Sequence, residues 1–166
     1  MKILFFSGLI LLLLGLGSCS ESKFGSALEY QDSIVNKFTY NNLAFTEVER
    51  VLYDLNPKTL QSAIDQARKT CQKNYDYVKQ MGGFEGNDDF RASAEKYFKN
   101  DLTRLGEYEK LIPLIQPDAQ GKKPMSPDII NHVLQPIHAA QSADMLMLQE
   151  AQKKFGLANN IDVHGA

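Results

Sequence analysis

Cysteine is scarce in this chain of 166 residues, which contains only Cys19 and Cys71. Two cysteines allow no disulfide framework of the kind that stabilises small secreted domains. They also provide no clustered pair for zinc and no Cys-x-x-Cys-His motif for covalent haem. The stability of the folded domain must therefore come from a hydrophobic core.

A surplus of charge of one sign is also missing. Lys and Arg together number 18 and Asp and Glu together number 20, so the formal net charge at pH 7 is −2. A nucleic-acid-binding surface requires a basic patch or stripe, and this sequence has none. We therefore expect no nucleic-acid partner.

Known catalytic and metal-binding motifs are absent as well. Di-iron four-helix bundles use Glu-x-x-His pairs, but none of the three histidines here has a glutamate three positions before it. The stretch Gly121-Lys122-Lys123 lacks the other residues of a phosphate-binding loop, and residues 86–89 lack the alternating ligands of a calcium loop. The sequence therefore predicts no metal site, no cofactor and no catalytic residue, and we expect that the protein is not an enzyme.

The most distinctive segment that is present lies at the N-terminus. Met1 and Lys2 precede an apolar run over residues 3–16, and small residues follow at Gly17 and Ser18. The run is shorter than the ~20 residues that cross a bilayer as a helix. The pattern is that of a secretory signal peptide.

The end of this run, Leu16-Gly17-Ser18-Cys19, resembles the lipobox of bacterial lipoproteins. The resemblance implies that residues 1–18 are removed and that Cys19 carries a diacylglyceryl thioether and an N-acyl chain. Two or three acyl chains attach a protein stably to a membrane, whereas one does not. The implied location is the bacterial cell envelope, most simply the outer membrane, on either its periplasmic or its surface face. An ordinary signal peptide that happens to end near a cysteine is the alternative.

Beyond the N-terminal segment, every long stretch has the 3.6-residue apolar period of a helix. The four predicted helices cover roughly residues 26–55, 57–81, 87–115 and 127–155. Asn56-Pro57 and Ser126-Pro127 each place a capping side chain before a proline at the first helical position. We predict an all-α, up-down-up-down four-helix bundle over residues 27–157, with a tether over 19–26 before it and a flexible tail over 158–166 after it.

The tether and the topology together predict the orientation of the bundle. With Cys19 in the bilayer, the start of the first helix, the turn at residues 82–86 and the C-terminus lie at the membrane end. The connection over residues 116–125 lies at the far end, and exposed loops carry function more often than helical cores do. The predicted contacts for a protein partner are three polar residues of that connection: Gln120, Lys122 and Lys123. A long loop without a function is the alternative.

Several polar residues are expected at similar heights in the middle of the bundle. They are Asn41, Asn42, Cys71, Asn74, Asp101, His138, Gln141 and Asp144. A functional interpretation makes Cys71, Asp101 and His138 a thiolate or metal site, because a cysteine needs an adjacent base to become a nucleophile. A structural interpretation makes Cys71 a small buried hydrophobe, with the asparagines fixing the register of the helices and the acids on solvated flanks. The structural interpretation is favoured because Asp101 and His138 lie beside the apolar stripes of their helices.

In length, anchor and helix pattern, the chain resembles small helical surface or envelope lipoproteins of unknown function, a resemblance that transfers no catalytic residue. We expect a lipid-anchored, non-enzymatic envelope or surface protein that binds a protein partner through the distal loop or a helix face. The alternative is a bundle that holds a small apolar ligand, haem or a metal between its helices. A ligand-binding bundle contains an inner cavity, whereas an interaction protein is tightly packed and exposes an apolar patch.

Overall fold

A computed structural model describes residues 24–115 and 126–161 of the chain. Its helices are α1 (Ala27–Leu52), α2 (Pro57–Gln80), α3 (Asp89–Glu109), α4 (Ile112–Ile115) and α5 (Pro127–Ala158). These two described ranges contain no β-strand, only an isolated bridge between Phe84 and Asn87. The four long helices confirm the predicted all-α four-helix bundle.

Side-chain contacts give the direction of the helices. The Tyr30 hydroxyl, near the start of α1, donates to the carbonyl oxygen of Gly82, just after α2, at 3.1 Å. The Tyr30 ring also lies 5.4 Å from the ring of Phe155, near the end of α5. At the opposite end, the Tyr53 hydroxyl, just after α1, donates to Asn131, near the start of α5. Because α1 packs on α2, α2 on α3 and α3 on α5, the long helices form an up-down-up-down bundle, and the side-chain contacts above also join α1 to α5 at both ends.

Two helix starts follow the predicted pattern of a cap followed by a proline. The Asn56 side-chain oxygen accepts the backbone N–H groups of Lys58 and Thr59 at 3.0 and 3.2 Å. The Ser126 hydroxyl accepts the N–H of Ile129 at 3.5 Å. These bonds satisfy backbone donors that the first turn of a helix leaves unpaired.

The third predicted helix is shorter than its apolar pattern suggested. α3 ends at Glu109, and a turn over residues 110–111 leads into the short helix α4. Pro113 explains the break, because in a continuous helix its ring clashes with the carbonyl of Glu109 and offers that carbonyl no N–H. By contrast, Pro136 lies inside α5, which continues to Ala158.

Part of the predicted tether belongs to the folded domain. The Phe24 ring packs edge-on against Tyr30, with 5.2 Å between ring centroids. The Ser26 hydroxyl accepts the N–H of Glu29 at 3.2 Å and so caps α1. The rest of the predicted tether and signal peptide, residues 1–23, lies outside the described residues and includes Cys19.

Part of the predicted tail is likewise structured. The Ile161 N–H donates to the carbonyl of Gly156 at 2.9 Å, and Asn160 adopts a φ of 55°. This is the Schellman arrangement that commonly ends a helix, and Ile161 packs against the core as its apolar contact. The expected flexible tail therefore does not begin at residue 158, and residues 162–166 lie outside the described range.

The core is divided into two clusters of buried side chains. The aliphatic cluster, toward the Asn56 turn, consists of Phe45, Val48, Val51, Leu52, Leu60, Ile64, Ala67, Cys71, Leu105, Tyr108, Leu111, Ile115, Ile130, Leu134 and Ile137. The aromatic cluster, toward the start of α1, consists of Tyr30, Ile34, Val78, Met81, Phe84, Phe90, Ala94, Tyr97, Phe98, Leu148 and Phe155. On each long helix, the residue that separates the two clusters is polar.

The aromatic cluster brings together the three chain segments that sequence placed at the membrane end. Tyr30 opens α1, Phe84 lies in the turn after α2, and Phe155 is near the end of α5. Their rings contact one another, so these segments lie at one end of the bundle. No helix in the described part of the chain is long and apolar enough to cross a membrane.

Candidate binding groove above a buried polar network

A chain of hydrogen bonds crosses the interior between the aliphatic and aromatic clusters. The Asn74 amide donates to the Asn41 side-chain oxygen at 2.7 Å, and the Asn41 amide donates to Asp101 Oδ2 at 2.7 Å. Asp101 Oδ1 accepts from Arg104 Nη2. Arg104 Nη1 donates to Asp144 Oδ2 at 2.6 Å. These five residues, which we call the polar network, connect all four long helices.

The centre of the network is almost fully removed from solvent. Asp101 is 0% exposed and Arg104 is 5% exposed, so the expectation that the acids lie on solvated flanks is wrong for Asp101. Burial raises the pKa of the Asp101 carboxyl, and the charge of Arg104 and the bond from Asn41 oppose this effect. The Arg104 guanidinium also lies over the Tyr97 ring, 5.2 Å from its centroid. Because each of these groups finds its partner at only one relative height, the network fixes the register of the helices.

Cys71 lies beside this network as a buried free thiol of the aliphatic cluster. Burial, and secondarily the charge of Asp101, raises the pKa of Cys71 to about 12. The reactive form of cysteine is the thiolate, which is therefore scarce at neutral pH. This supports the structural interpretation of Cys71 over the nucleophile.

His138 does not join the polar network. It is exposed on α5, where its Nε2 lies 2.8 Å from Glu49 Oε1, and Glu49 also accepts the hydroxyl of Tyr108. The sequence placed His138 beside Cys71 and Asp101 because the three residues lie at similar heights along the bundle. The structure corrects this placement, because His138 faces outward from the α5 axis and not toward the interior. Across the described residues, no group of three or more His, Cys, Asp and Glu side chains could hold a metal ion.

The other sequence-predicted site residues fall outside the described part of the chain. These are the proposed partner contacts Gln120, Lys122 and Lys123 and the lipidation site Cys19. Their roles stay predictions. The described surface offers a different candidate, which the sequence indicated only in general as a helix face.

An open groove of about 720 Å³ lies between α3 and α5. The α5 wall is apolar and consists of Val133, Pro136, Ala140 and Ala143. The α3 wall is polar and includes Thr103 and Glu107, whereas Leu111 and Leu114 close the end toward α4. The size is typical of a binding site, and the two walls differ in chemistry.

The floor of the groove is the outer edge of the polar network. Arg104 and Asp144 both line the groove, and both are largely buried, with side-chain exposures of 6% and 13%. Asn100 reinforces the pair by donating its amide to Asp144 Oδ2 at 2.9 Å. A group that enters the groove therefore meets an ion pair that joins α3 and α5.

The apolar surface continues along α5 beyond the residues that line the groove. Ile129 and Met147 on α5 are about half-exposed, and Leu114, at the end of the groove, is exposed to a similar degree. One stripe on α5 follows the alternating spacing of four and three residues that forms the seam of a coiled coil: Ile129, Val133, Pro136, Ala140, Ala143 and Met147. Scattered exposed hydrophobic residues need no explanation, but a contiguous stripe indicates an interaction surface.

The charge of this face is also unusual. Between residues 129 and 149, Asp144 is the only Asp, Glu, Lys or Arg residue, although α5 faces solvent along much of its length. A helix that serves only to cover a core carries charged residues on its outer face.

No family model, curated protein or solved structure matches this chain. We therefore infer the function from the groove, the stripe and the polar network.

Proposed function

We propose that this protein is a lipid-anchored, non-enzymatic protein of the bacterial cell envelope that binds a protein partner through the face formed by α3 and α5. The observation that carries the proposal is the groove with its uncharged, half-exposed stripe on α5. The lipobox-like segment Leu16-Gly17-Ser18-Cys19 supports the anchor and an outer-membrane location.

The interior of the bundle favours an interaction protein over a ligand-binding bundle. Rings of the aromatic cluster are in contact, with centroid separations of 5.3 to 5.9 Å around Phe155 and Phe84. The polar network uses its amide, carboxylate and guanidinium groups on one another. Side chains therefore occupy the space in which a ligand held between the helices would have to lie, and the candidate surface faces outward.

The position of the groove suits a membrane-anchored binder. The start of α1 follows the tether and lies at the end of the bundle that contains Tyr30 and Phe155. The groove begins at the polar network, halfway along the bundle, and runs toward Leu114 at the opposite end. A protein anchored through Cys19 thus presents the groove away from the lipid.

The anchor and the surface are tested separately in cells of the protein's own host. Replacing Cys19 by Ser should abolish the incorporation of labelled palmitate into the protein, because it removes the acylated atom. For the surface, benzoylphenylalanine is introduced in place of Ala140 in the groove or of Ser62, an exposed residue of α2, and the cells are irradiated. We expect a discrete protein adduct from Ala140 and none from Ser62.

Two results contradict the proposal. Absence of labelled palmitate from the unmodified protein, or equal label in Cys19→Ser, excludes the lipid anchor at Cys19. Equal adducts from both positions, or none from Ala140, exclude the α3–α5 face as the site where a partner binds.

A further inference from the structure

We propose that the groove receives one amphipathic helix of the protein partner, and that this helix presents a neutral amide side chain, Asn or Gln, to Arg104 and Asp144. The inference rests on the proposed function and adds the chemistry of the partner. It is drawn from the seam on α5, from a buried donor of Arg104 without a partner, and from the charge balance at the floor.

The shape of the surface fits a helix. The stripe from Ile129 to Met147 extends for ~27 Å at 1.5 Å per residue, and its spacing matches the seam that a second helix packs against. Ala140 and Ala143 at its centre allow a close approach of the backbones. The polar α3 wall, with Thr103 and Glu107, requires that the occupant be apolar on one side only.

Arg104 indicates where the occupant carries a polar group. The residue is 5% exposed, lines the groove, and uses Nη1 and Nη2 in bonds to Asp144 and Asp101. Its Nε is buried and has no hydrogen-bond partner in the described part of the chain. A buried N–H group is normally paired. The atom is closed to solvent in the free protein, so an oxygen atom of the occupant completes the set when the Arg104 side chain shifts toward the groove.

Asp144 provides the complementary group. It accepts the bonds from Arg104 and Asn100 on the same oxygen, Oδ2. Its other oxygen, Oδ1, takes no part in these two bonds and can accept an N–H group. A carboxamide carries an oxygen and an N–H group side by side, and it can therefore pair with Arg104 and Asp144 together.

The charge of the floor selects a neutral group. The positive charge of Arg104 is already matched by Asp144, and the Asp101 carboxyl lies on its inner side. A carboxylate from a fatty acid or a phosphate from a lipid headgroup would face Asp144, and an ammonium group would face Arg104. A second copy of this chain that pairs through the same stripe offers no amide, because Ile129, Val133, Pro136, Ala140, Ala143 and Met147 contain none.

The probe is a set of three synthetic peptides of 21 residues with Leu and Ala at the seam positions. They differ only at the central seam residue, which is Gln, Glu or Leu. Binding to the full acylated chain in detergent is measured by fluorescence anisotropy. We expect the Gln peptide to bind at least fivefold more tightly than the other two.

Variants of the chain provide the controls. Ala140→Arg should weaken the binding of the Gln peptide at least tenfold, whereas Ser62→Arg, an equally exposed change on α2, should leave it unchanged. Arg104→Lys keeps the charge but removes the Nε–H, so it should abolish the preference for Gln over Leu while binding continues. If Arg104→Lys does not fold, the comparison of the three peptides on the unmodified chain decides alone.

The outcomes separate this inference from the proposed function. Equal binding of the three peptides, tightest binding of the Glu peptide, or no binding of any overturns the inference, even when Ala140 still yields a protein adduct in cells. The absence of that adduct overturns the proposed function as well. Displacement of the Gln peptide by equimolar dodecanoate or phosphatidylglycerol vesicles assigns the groove to lipid. Dimerisation that Ala140→Arg abolishes assigns it to a second copy of the chain. Either result contradicts the inference.

Discussion

Replacing Asp101 by Leu tests whether the polar network holds the bundle together. Leu has the same number and branching of side-chain heavy atoms as Asp, so the change removes the charge and the acceptors while it keeps the branched shape. It leaves the buried Arg104 with only one carboxylate, Asp144, and it leaves the Asn41 amide without its acceptor. The network predicts a large loss of stability for a substitution that increases hydrophobicity.

The size of the loss follows from the burial of these groups. Removing one partner of a buried ion pair costs about 3–5 kcal/mol, because the other charge stays buried without its full compensation. For a domain of this size, each kcal/mol corresponds to a shift in melting temperature of ~2–4 °C. We expect Asp101→Leu to lower the melting temperature by about 10 °C.

Urea denaturation followed by far-UV circular dichroism measures the effect. Asp65→Leu is the matched control, because Asp65 also accepts a side-chain amide, from Gln61 at 3.0 Å, but on the exposed face of α2. That change should stay within about 0.5 kcal/mol. The double variant Asp101→Leu, Arg104→Met removes both charges and should be more stable than Asp101→Leu alone. A loss under about 1 kcal/mol for Asp101→Leu, or a double variant less stable than the single one, refutes the reasoning.

Two further predictions follow from other parts of the core. Because the pKa of Cys71 is raised to about 12, native protein at pH 8 should resist labelling by iodoacetamide until urea unfolds it. Rapid labelling of the native protein counts against a buried thiol. Cys71→Ala should leave the Ala140 adduct intact. Phe155→Ala should lower the free energy of unfolding in urea by about 3–5 kcal/mol, because its ring contacts three aromatic rings. Leu157→Ala, on the exposed side of α5, should lower it little. Similar losses for both variants contradict the packing.

The helices were accessible from sequence because local signals determine them. The apolar period, the caps at Asn56 and Ser126 and the following prolines all act within one turn of the chain, so the four long helices and their order could be predicted. The end of the third helix was predicted too late, near Ile115, because apolar residues continue past Pro113. In that segment the proline outweighs the apolar pattern.

The polar network was accessible only in part. Counting along the helices placed Asn41, Asn74 and Asp101 at one height, and the structure joins these three by hydrogen bonds. The same count included His138, because height along a bundle does not specify direction around a helix axis. Arg104 was overlooked because an arginine in a helix is usually exposed, and its burial depends on the carboxylate of Asp144 on another helix.

The groove was not predicted, because a stronger apolar pattern lies on the same helix. The buried stripe of α5, which includes Ile130 and Leu134, accounts for most of its apolar residues. The apolar pattern of this segment was therefore assigned to the core. The spacing from Ile129 to Met147 was visible in the sequence, but only the fold shows that this second stripe faces outward beside α3. The sequence could have drawn attention to it through the shortage of charge between residues 129 and 149.

The most direct test of the account is a comparison of photo-cross-linking at one exposed position on each long helix in cells of the host. Benzoylphenylalanine replaces Tyr40 on α1, Ser62 on α2, Thr103 on α3 or Ala140 on α5. The account predicts that Thr103 and Ala140, which line the groove from opposite sides, yield an adduct with the same protein and that Tyr40 and Ser62 yield none. Adducts confined to Tyr40 or Ser62, or different proteins at Thr103 and Ala140, would contradict it.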